Sequence, residues 1–523
     1  MPNSTVNLVS TSSGPQNTQR HLHDLFHLLR SISARKFAYQ GGFRTLFAAC
    51  VLLIVTSPAD LIAQTMRVRI AITSLGPARI TITAEVPSAI KVLSFRNAYG
   101  GVLGLGERIE KFEASKTTGE SVPVQKLAPG EFQTAESFTR FSYVVNVTEP
   151  AQPAQMSHVS WLNRNHGLLM LADLLPQLAK ESVNFPATVI QLDVPPGWTS
   201  AANVKNEGAQ YSTEDPEKTV FLIGSSLHEK SRHIGSTNFS IIASGKWPFS
   251  DDDAIRIVSK IMEKYSKATG FAMKRRIVLM LIPYPGEAGP ERWTAETRDH
   301  DVVLLLGRRA SRENALSKLG IVLSHELFHL WVPESLTLKG DYDWFFEGFT
   351  LYEALRMDLR LGLISFDDYL ATLARVYDSY LASAERDRLS LLEASERRWT
   401  TSSSLVYDQG MLVAFIYDLL LRSRSDCKAS LDDVYRQLFR RQSTGHGSAN
   451  DTIIELLSEQ KGMESFPEIH VEGADRINLE SLLPPYGFQV QRAASGGKAT
   501  RLAVEHDLSK PQLKLLGCLG YGK

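Results

Sequence analysis

The hydrophobic pattern changes its period about halfway along the chain. Between Arg67 and about Gly245, apolar and polar positions alternate in short runs. Ile80, Ile82, Ala84 and Val86 take every second place, the spacing of a strand with one buried face. FSYVVNV (141–147), ATVIQLDV (187–194) and KTVFLIG (218–224) have the same character, with Pro, Gly and Asn between them. Long helical periodicity is missing, so a β-sandwich-like domain is expected. The glycines of YGGVLGLGER (99–108) read as turns: the third glycine of a GxGxxG loop is absent and no helix is signalled afterwards.

The period lengthens at Ser250. That serine suits an N-cap, Asp251 to Asp253 suit the positive end of a helix, and Ile255, Val258, Ile261, Met262 and Tyr265 form an apolar stripe ended by Gly270. RRIVLMLIPYP (275–285) and DVVLLLG (301–307) read as buried strands. Helices are expected over 315–331, 347–361, 365–384, 405–424, 431–441 and 450–460, the third opened by a capping box of Ser365 and Asp368. Short strands and a brief helix close the chain from Pro485. The fold class is multidomain α+β. Its expected parts are a leader (1–63), a β-rich domain (64–246), a mixed unit (247–400), a helical region (401–484) and a short C-terminal segment (485–523).

Charge removes one class of partner. The 57 basic and 57 acidic side chains cancel, which gives no support for nucleic-acid binding. Cys50 lies in the leader, leaving Cys427 and Cys518, whose pairing the sequence leaves open. The apolar run LFAACVLLIVT (46–56) is short of the ~20 residues of a membrane helix. Arg35, Lys36 and Arg44 precede it, and Ala59 or Ala63 offers a cleavage position. This predicts an export signal and a periplasmic or extracellular protein without a stable span, the alternative being an anchor formed by residues 45–63.

The strongest chemistry lies in LSHELFHLWVPESLTLKGDYDWFFEGFT (323–350). On a helix, His325 and His329 lie one turn apart on one face and can share a metal ion. Glu326 sits roughly 100° round from His325, where it can reach a metal-bound water without being a ligand. Zinc needs a third protein ligand, and Glu347 can supply it after a loop turned by Lys339-Gly340-Asp341. Asp341, Asp343 and Glu353 are the nearby carboxylates available to orient the histidines. Trp331, Trp344, Phe345 and Phe346 are expected to build core around the site.

HELFHLW followed by WFFEGFTLYEALR resembles the glycyl-aminopeptidase family of gluzincin metallopeptidases, and more distantly aminopeptidase N. The resemblance runs over roughly 67–490 and implies a thermolysin-like zinc catalytic domain behind the β domain. It implies that Glu347, in Glu347-Gly348-Phe349-Thr350, is the third ligand of one zinc ion. SSLVYDQGMLVAFIYDLLLR (403–422) is similar to the family's Y-x-K-G helix, which makes Tyr407 the hydrogen-bond donor to the oxyanion, with Gln409 in the place of the lysine. LLPPYGFQV (482–490) resembles the segment that closes the family's helical region, but the residues after Gly487 are too few for its usual PDZ domain. Members often carry a Gly-Gly-Leu-Glu-His-type strand whose glutamate helps hold a substrate's amino terminus; TRDHDVVLLLG (297–307) shows none. The expected function is zinc-dependent hydrolysis of peptide or protein substrates, aminopeptidase-like, with Glu326 as general base. An endopeptidase of the same fold, or a non-catalytic zinc-containing scaffold, are the alternatives.

Overall fold

The alternating runs pair into two facing sheets. The computed structural model describes residues 65–522 except 178–186, 209, 285–291, 308–310, 399–402, 442–447 and 493–498; the leader and its cleavage positions lie outside them. Met66–Leu75 lies between Ala78–Ser94, antiparallel, and Thr188–Asp193, parallel, within a nine-stranded sheet. Glu131–Asn146 continues that sheet beyond Ala78–Ser94. Trp161–Leu162, His166–Met170, Thr199–Ala202 and Val220–Gly224 form a second sheet of four strands. Val68, Ile70, Ile80 and Ile82 from the first share a core with Leu169, Phe221 and Ile223 from the second. This is the expected sandwich, built by period-two burial.

YGGVLGLGER forms turns, as expected. Ala98–Tyr99 pairs with Val102–Leu103, and a 3₁₀ turn follows over Leu105–Arg108. Gly100 has φ +55°, and a Cβ there would stand 2.8 Å from the side chain of His158. Only glycine allows that approach.

A third sheet carries the mixed unit. Its strands are β1 (Leu227–Ile234), β2 (Thr237–Ser244), β3 (Ile277–Pro283), β4 (Trp293–Arg298) and β5 (Asp301–Leu306), in spatial order β1-β2-β3-β5-β4. β2, β3 and β5 run parallel, and β4 is an antiparallel edge. The hairpin β1–β2 was expected in the β-rich domain, yet β2 pairs with β3 from Phe239↔Ile277 to Ala243↔Leu281. The change of sheet therefore falls near Ser225, ahead of the expected boundary at 246. Periodicity cannot say which sheet a strand joins.

Helices cover and extend this sheet. α1 (Asp251–Thr269) opens with a full capping box of Ser250 and Asp253 and ends at Gly270, φ +68°. Then come α2 (Arg312–His329), a π-helical turn (Trp344–Phe349), α3 (Thr350–Arg360), α4 (Phe366–Ala382) and α5 (Leu391–Glu396). α6 (Ser403–Arg424), α7 (Leu431–Arg441) and α8 (Ala449–Ser458) follow, and α9 (Lys510–Leu519) comes after the hairpin of Phe488–Gln491 with Arg501–Val504. One core runs through them all, from Leu279 and Leu304 on the sheet to Phe415, Phe488 and Leu516. α6 is apolar and long enough to cross a membrane, but most of its apolar window is buried inside the protein. Beside it, buried Arg356 pairs with Glu353 at 2.6 Å and Asp432 at 2.7 Å, and Arg422 pairs with Asp418 at 2.9 Å. Arg356 also faces Asp418 at 3.6 Å, so the network joins α3, α6 and α7. Cys427 and Cys518 are bonded, tying the end of α6 to α9.

Candidate metal centre

Local sequence on α2 sets two imidazoles on one point. Ser311 caps the helix, its hydroxyl accepting from the Asn314 N–H at 3.1 Å. Leu319, Val322, Leu323, Leu327 and Phe328 bury its apolar side. The Nε2 atoms of His325 and His329 approach to 3.1 Å. His329 Nδ1 donates to the Val332 carbonyl at 3.1 Å, which leaves its Nε2 lone pair toward the cluster. Burial, aided by His329, holds His325 well below the usual histidine range, so it stays neutral.

Glu347 reaches the same point from the other side of a loop. Gly340, at φ +112°, turns the chain, and the π-helical turn then presents Glu347 inward. Such turns recur at functional sites because the extra residue re-aims a side chain. Glu347 Oε2 lies 3.6 Å from His329 Nε2 and 3.9 Å from His325 Nε2. A zinc ion bonded at 2.0–2.2 Å has tetrahedral edges of about 3.3–3.6 Å. The triangle of 3.1, 3.6 and 3.9 Å therefore fits zinc in size and donor type.

Glu326, next on the helix, is buried, and its Oε2 accepts from the Thr297 hydroxyl at 2.9 Å. Burial pushes its carboxyl up to about 7. Thr297 lies on the edge strand β4, which the sequence reading passed over. That strand begins upstream of TRDHDVVLLLG and carries a carboxylate, Glu296. Its oxygens accept from Tyr99 OH and from His158 Nδ1 and pair with Arg298 Nε at 2.9 Å. Tyr99 comes from the glycine hairpin of the β domain, beside the His158 that Gly100 admits.

Tyr407 enters from α6. Gly348 and Gly410 meet where the π-helical turn crosses α6: a Cβ on Gly410 would stand 2.7 Å from the Trp344 carbonyl oxygen and 3.0 Å from Gly348 Cα. This close crossing sets Tyr407 against Glu347. Burial and the neighbouring Glu347 raise the Tyr407 phenol, so it keeps its proton. Gln409 is buried, and its Oε1 has no hydrogen-bond partner.

Arg398 is, with Thr297, a residue that sequence reasoning missed. It follows α5, a helix that was not expected, although Ser390 and Glu393 spell a capping box, which forms. Arg398 Nη2 donates to Glu347 Oε1 at 2.7 Å and to Tyr407 OH at 2.6 Å, while Nη1 contacts Asp343. The carboxylates expected to orient the histidines go elsewhere. Asp343 meets Arg398, Glu353 pairs with Arg356, and Asp341 offers its carbonyl to Asn450. His325 Nδ1 is buried with no hydrogen-bond partner. Trp331, Trp344 and Phe345 are core, as expected, while Phe346 is half-buried beside His329.

Residues 318–413, which contain all five expected site residues, match the model of the M61 glycyl aminopeptidase family. An aminopeptidase N family protein from Idiomarina loihiensis has a similar structure, with a TM-score of 0.69 at 20% identity over 82% of this chain and 79% of that one. An M1 zinc metallopeptidase from Deinococcus radiodurans gives a TM-score of 0.48 at 15% identity, over 80% of this chain and 95% of that one. No curated protein matches the chain.

Proposed function

The chain is a metallopeptidase that resembles the glycyl-aminopeptidase family of zinc enzymes, and we propose that it hydrolyses peptide bonds at a single zinc ion held by His325, His329 and Glu347. The reading rests on the triangle of two Nε2 atoms and one carboxylate oxygen beside a buried glutamate. A bound zinc supplies a Lewis acid that makes water acidic near neutral pH and polarises the scissile carbonyl. Glu326 takes the proton of the attacking water and delivers it to the leaving amine. Tyr407 donates its hydroxyl hydrogen to the oxyanion as negative charge develops. Thr297 keeps the Glu326 carboxylate in place.

The resemblance favours an aminopeptidase. One observation favours the endopeptidase reading: Glu296 is already engaged by Tyr99, His158 and Arg298, so it has little left to offer a substrate ammonium. Peptide substrates free or acetylated at the amino terminus separate the two. Undiminished cleavage of the blocked peptide excludes an obligate aminopeptidase. The same assay tests the mechanism. Glu326→Ala should retain zinc and lose about 10²–10⁴-fold in hydrolysis; a variant as active as the parent, or a parent without bound zinc, defeats the proposal. We place the protein outside the cytosol, a reading supported by its paired cysteines and by the leader.

A further inference from the structure

Arg398 touches three parts of the site at once, and its geometry is specific. One nitrogen, Nη2, is shared between Glu347 Oε1 at 2.7 Å and Tyr407 OH at 2.6 Å. The other, Nη1, rests on Asp343. A guanidinium is planar and its donors point in fixed directions, so three contacts fix its place. Two consequences follow. Glu347 Oε1 is occupied, which leaves Oε2 as the oxygen facing the histidines. The Tyr407 oxygen accepts from Arg398, so its own O–H points away from the guanidinium, on the side where the Glu347 carboxylate is a neighbouring acceptor.

We propose that Arg398 is a positioning residue: it restricts Glu347 to one oxygen toward the metal and aims the Tyr407 hydroxyl hydrogen at the reacting carbonyl. A carboxylate free to turn can bind a metal through both oxygens, filling the place a catalytic site must keep open. A phenol without a partner on its oxygen has no fixed direction for its hydrogen. The role rests on the metallopeptidase reading, since it presupposes a metal at His325, His329 and Glu347.

The bland alternative is that Arg398 merely neutralises Asp343 and Glu347 and holds the end of α5. Metal binding distinguishes the two. In the full chain, zinc affinity is measured by chelator competition and coordination by the visible spectrum of the cobalt(II)-substituted protein. Arg398→Ala should bind zinc about 10–100-fold more weakly and change the intensity of the cobalt bands. Arg398→Lys, one point charge in place of a fork, should recover part of the affinity while kcat stays low. Tyr407→Phe should cost less in the Arg398→Ala background than in the parent, because the hydroxyl is already misdirected there. Wild-type affinity and an unchanged cobalt spectrum in Arg398→Ala overturn the proposal, even if its melting temperature falls. Should that variant fail to fold, Arg398→Lys decides: parental affinity, spectrum and kcat together overturn it. A parent chain that binds no zinc defeats the metallopeptidase reading itself; a parent that binds zinc beside an unaltered Arg398→Ala defeats only the role of Arg398.

Discussion

At the scale of single residues, Glu347 and Tyr407 are held by one cation but serve different ends, and substitution separates them. Tyr407→Phe keeps the ring in its packing and deletes the donor. It should lower kcat by about 10²–10³-fold, the usual cost of one oxyanion donor, with KM and zinc content little changed. Steady-state kinetics decide it, and an unaltered kcat removes Tyr407 from the chemistry. The clustering of His325, His329 and Glu347 was legible in the sequence: the two histidines by their spacing on one helix, a local property, and Glu347 by the resemblance carried in Glu347-Gly348-Phe349-Thr350. Thr297 and Arg398 were not. They reach the site from a distant strand and from the end of a separate helix, and neither residue type declares a role until the chain has folded around it.

At the scale of elements, the site depends on the crossing of α6 with the π-helical turn. Gly410→Ala places a methyl carbon against the Trp344 carbonyl and Gly348. Overpacking of this kind costs about 1–3 kcal/mol, and here it also displaces Tyr407, so kcat should fall together with the melting temperature. Gly517→Ala on α9, where nothing lies within 4 Å, should leave kcat unchanged. Equal kinetics for the two variants would mean that the crossing does not set the site. Most helices were legible from their caps and stripes, Ser250 and Ser365 most plainly. β4 was not, because WTAETR is an edge strand with polar side chains on both faces, several of them engaged by groups far away in sequence. α5 was missed because six residues are too few for helical periodicity to show.

At the scale of the whole molecule, the Cys427–Cys518 bond closes a loop of 91 residues and pins α9 to the end of α6. Loss of such a bond costs about 2–5 kcal/mol. Cys518→Ser should therefore be less stable by about that margin and melt at a lower temperature. Its activity at moderate temperature should persist, because α6 runs about 25 Å from Tyr407 to its end at Arg424 at 1.5 Å per residue, and Cys427 lies beyond that end. A thermal scan paired with a peptide assay checks both, and a variant that melts like the parent would show the bond to be thermodynamically silent. The sequence left this pairing open, since the approach of two cysteines is a property of the finished fold.

The hairpin β1–β2 has a consequence for how this chain can be divided. It precedes α1 yet supplies two strands of the sheet that carries the metal helix. A fragment beginning at 247 would leave the β2-facing edge of β3 bare, with the amide and carbonyl groups of alternate residues along Ile277–Leu281 unpaired. It would also strip Tyr99 and His158 from Glu296. The sandwich and the unit that bears the His-His-Glu cluster thus have no clean seam between them at 246, and a cut there would break both.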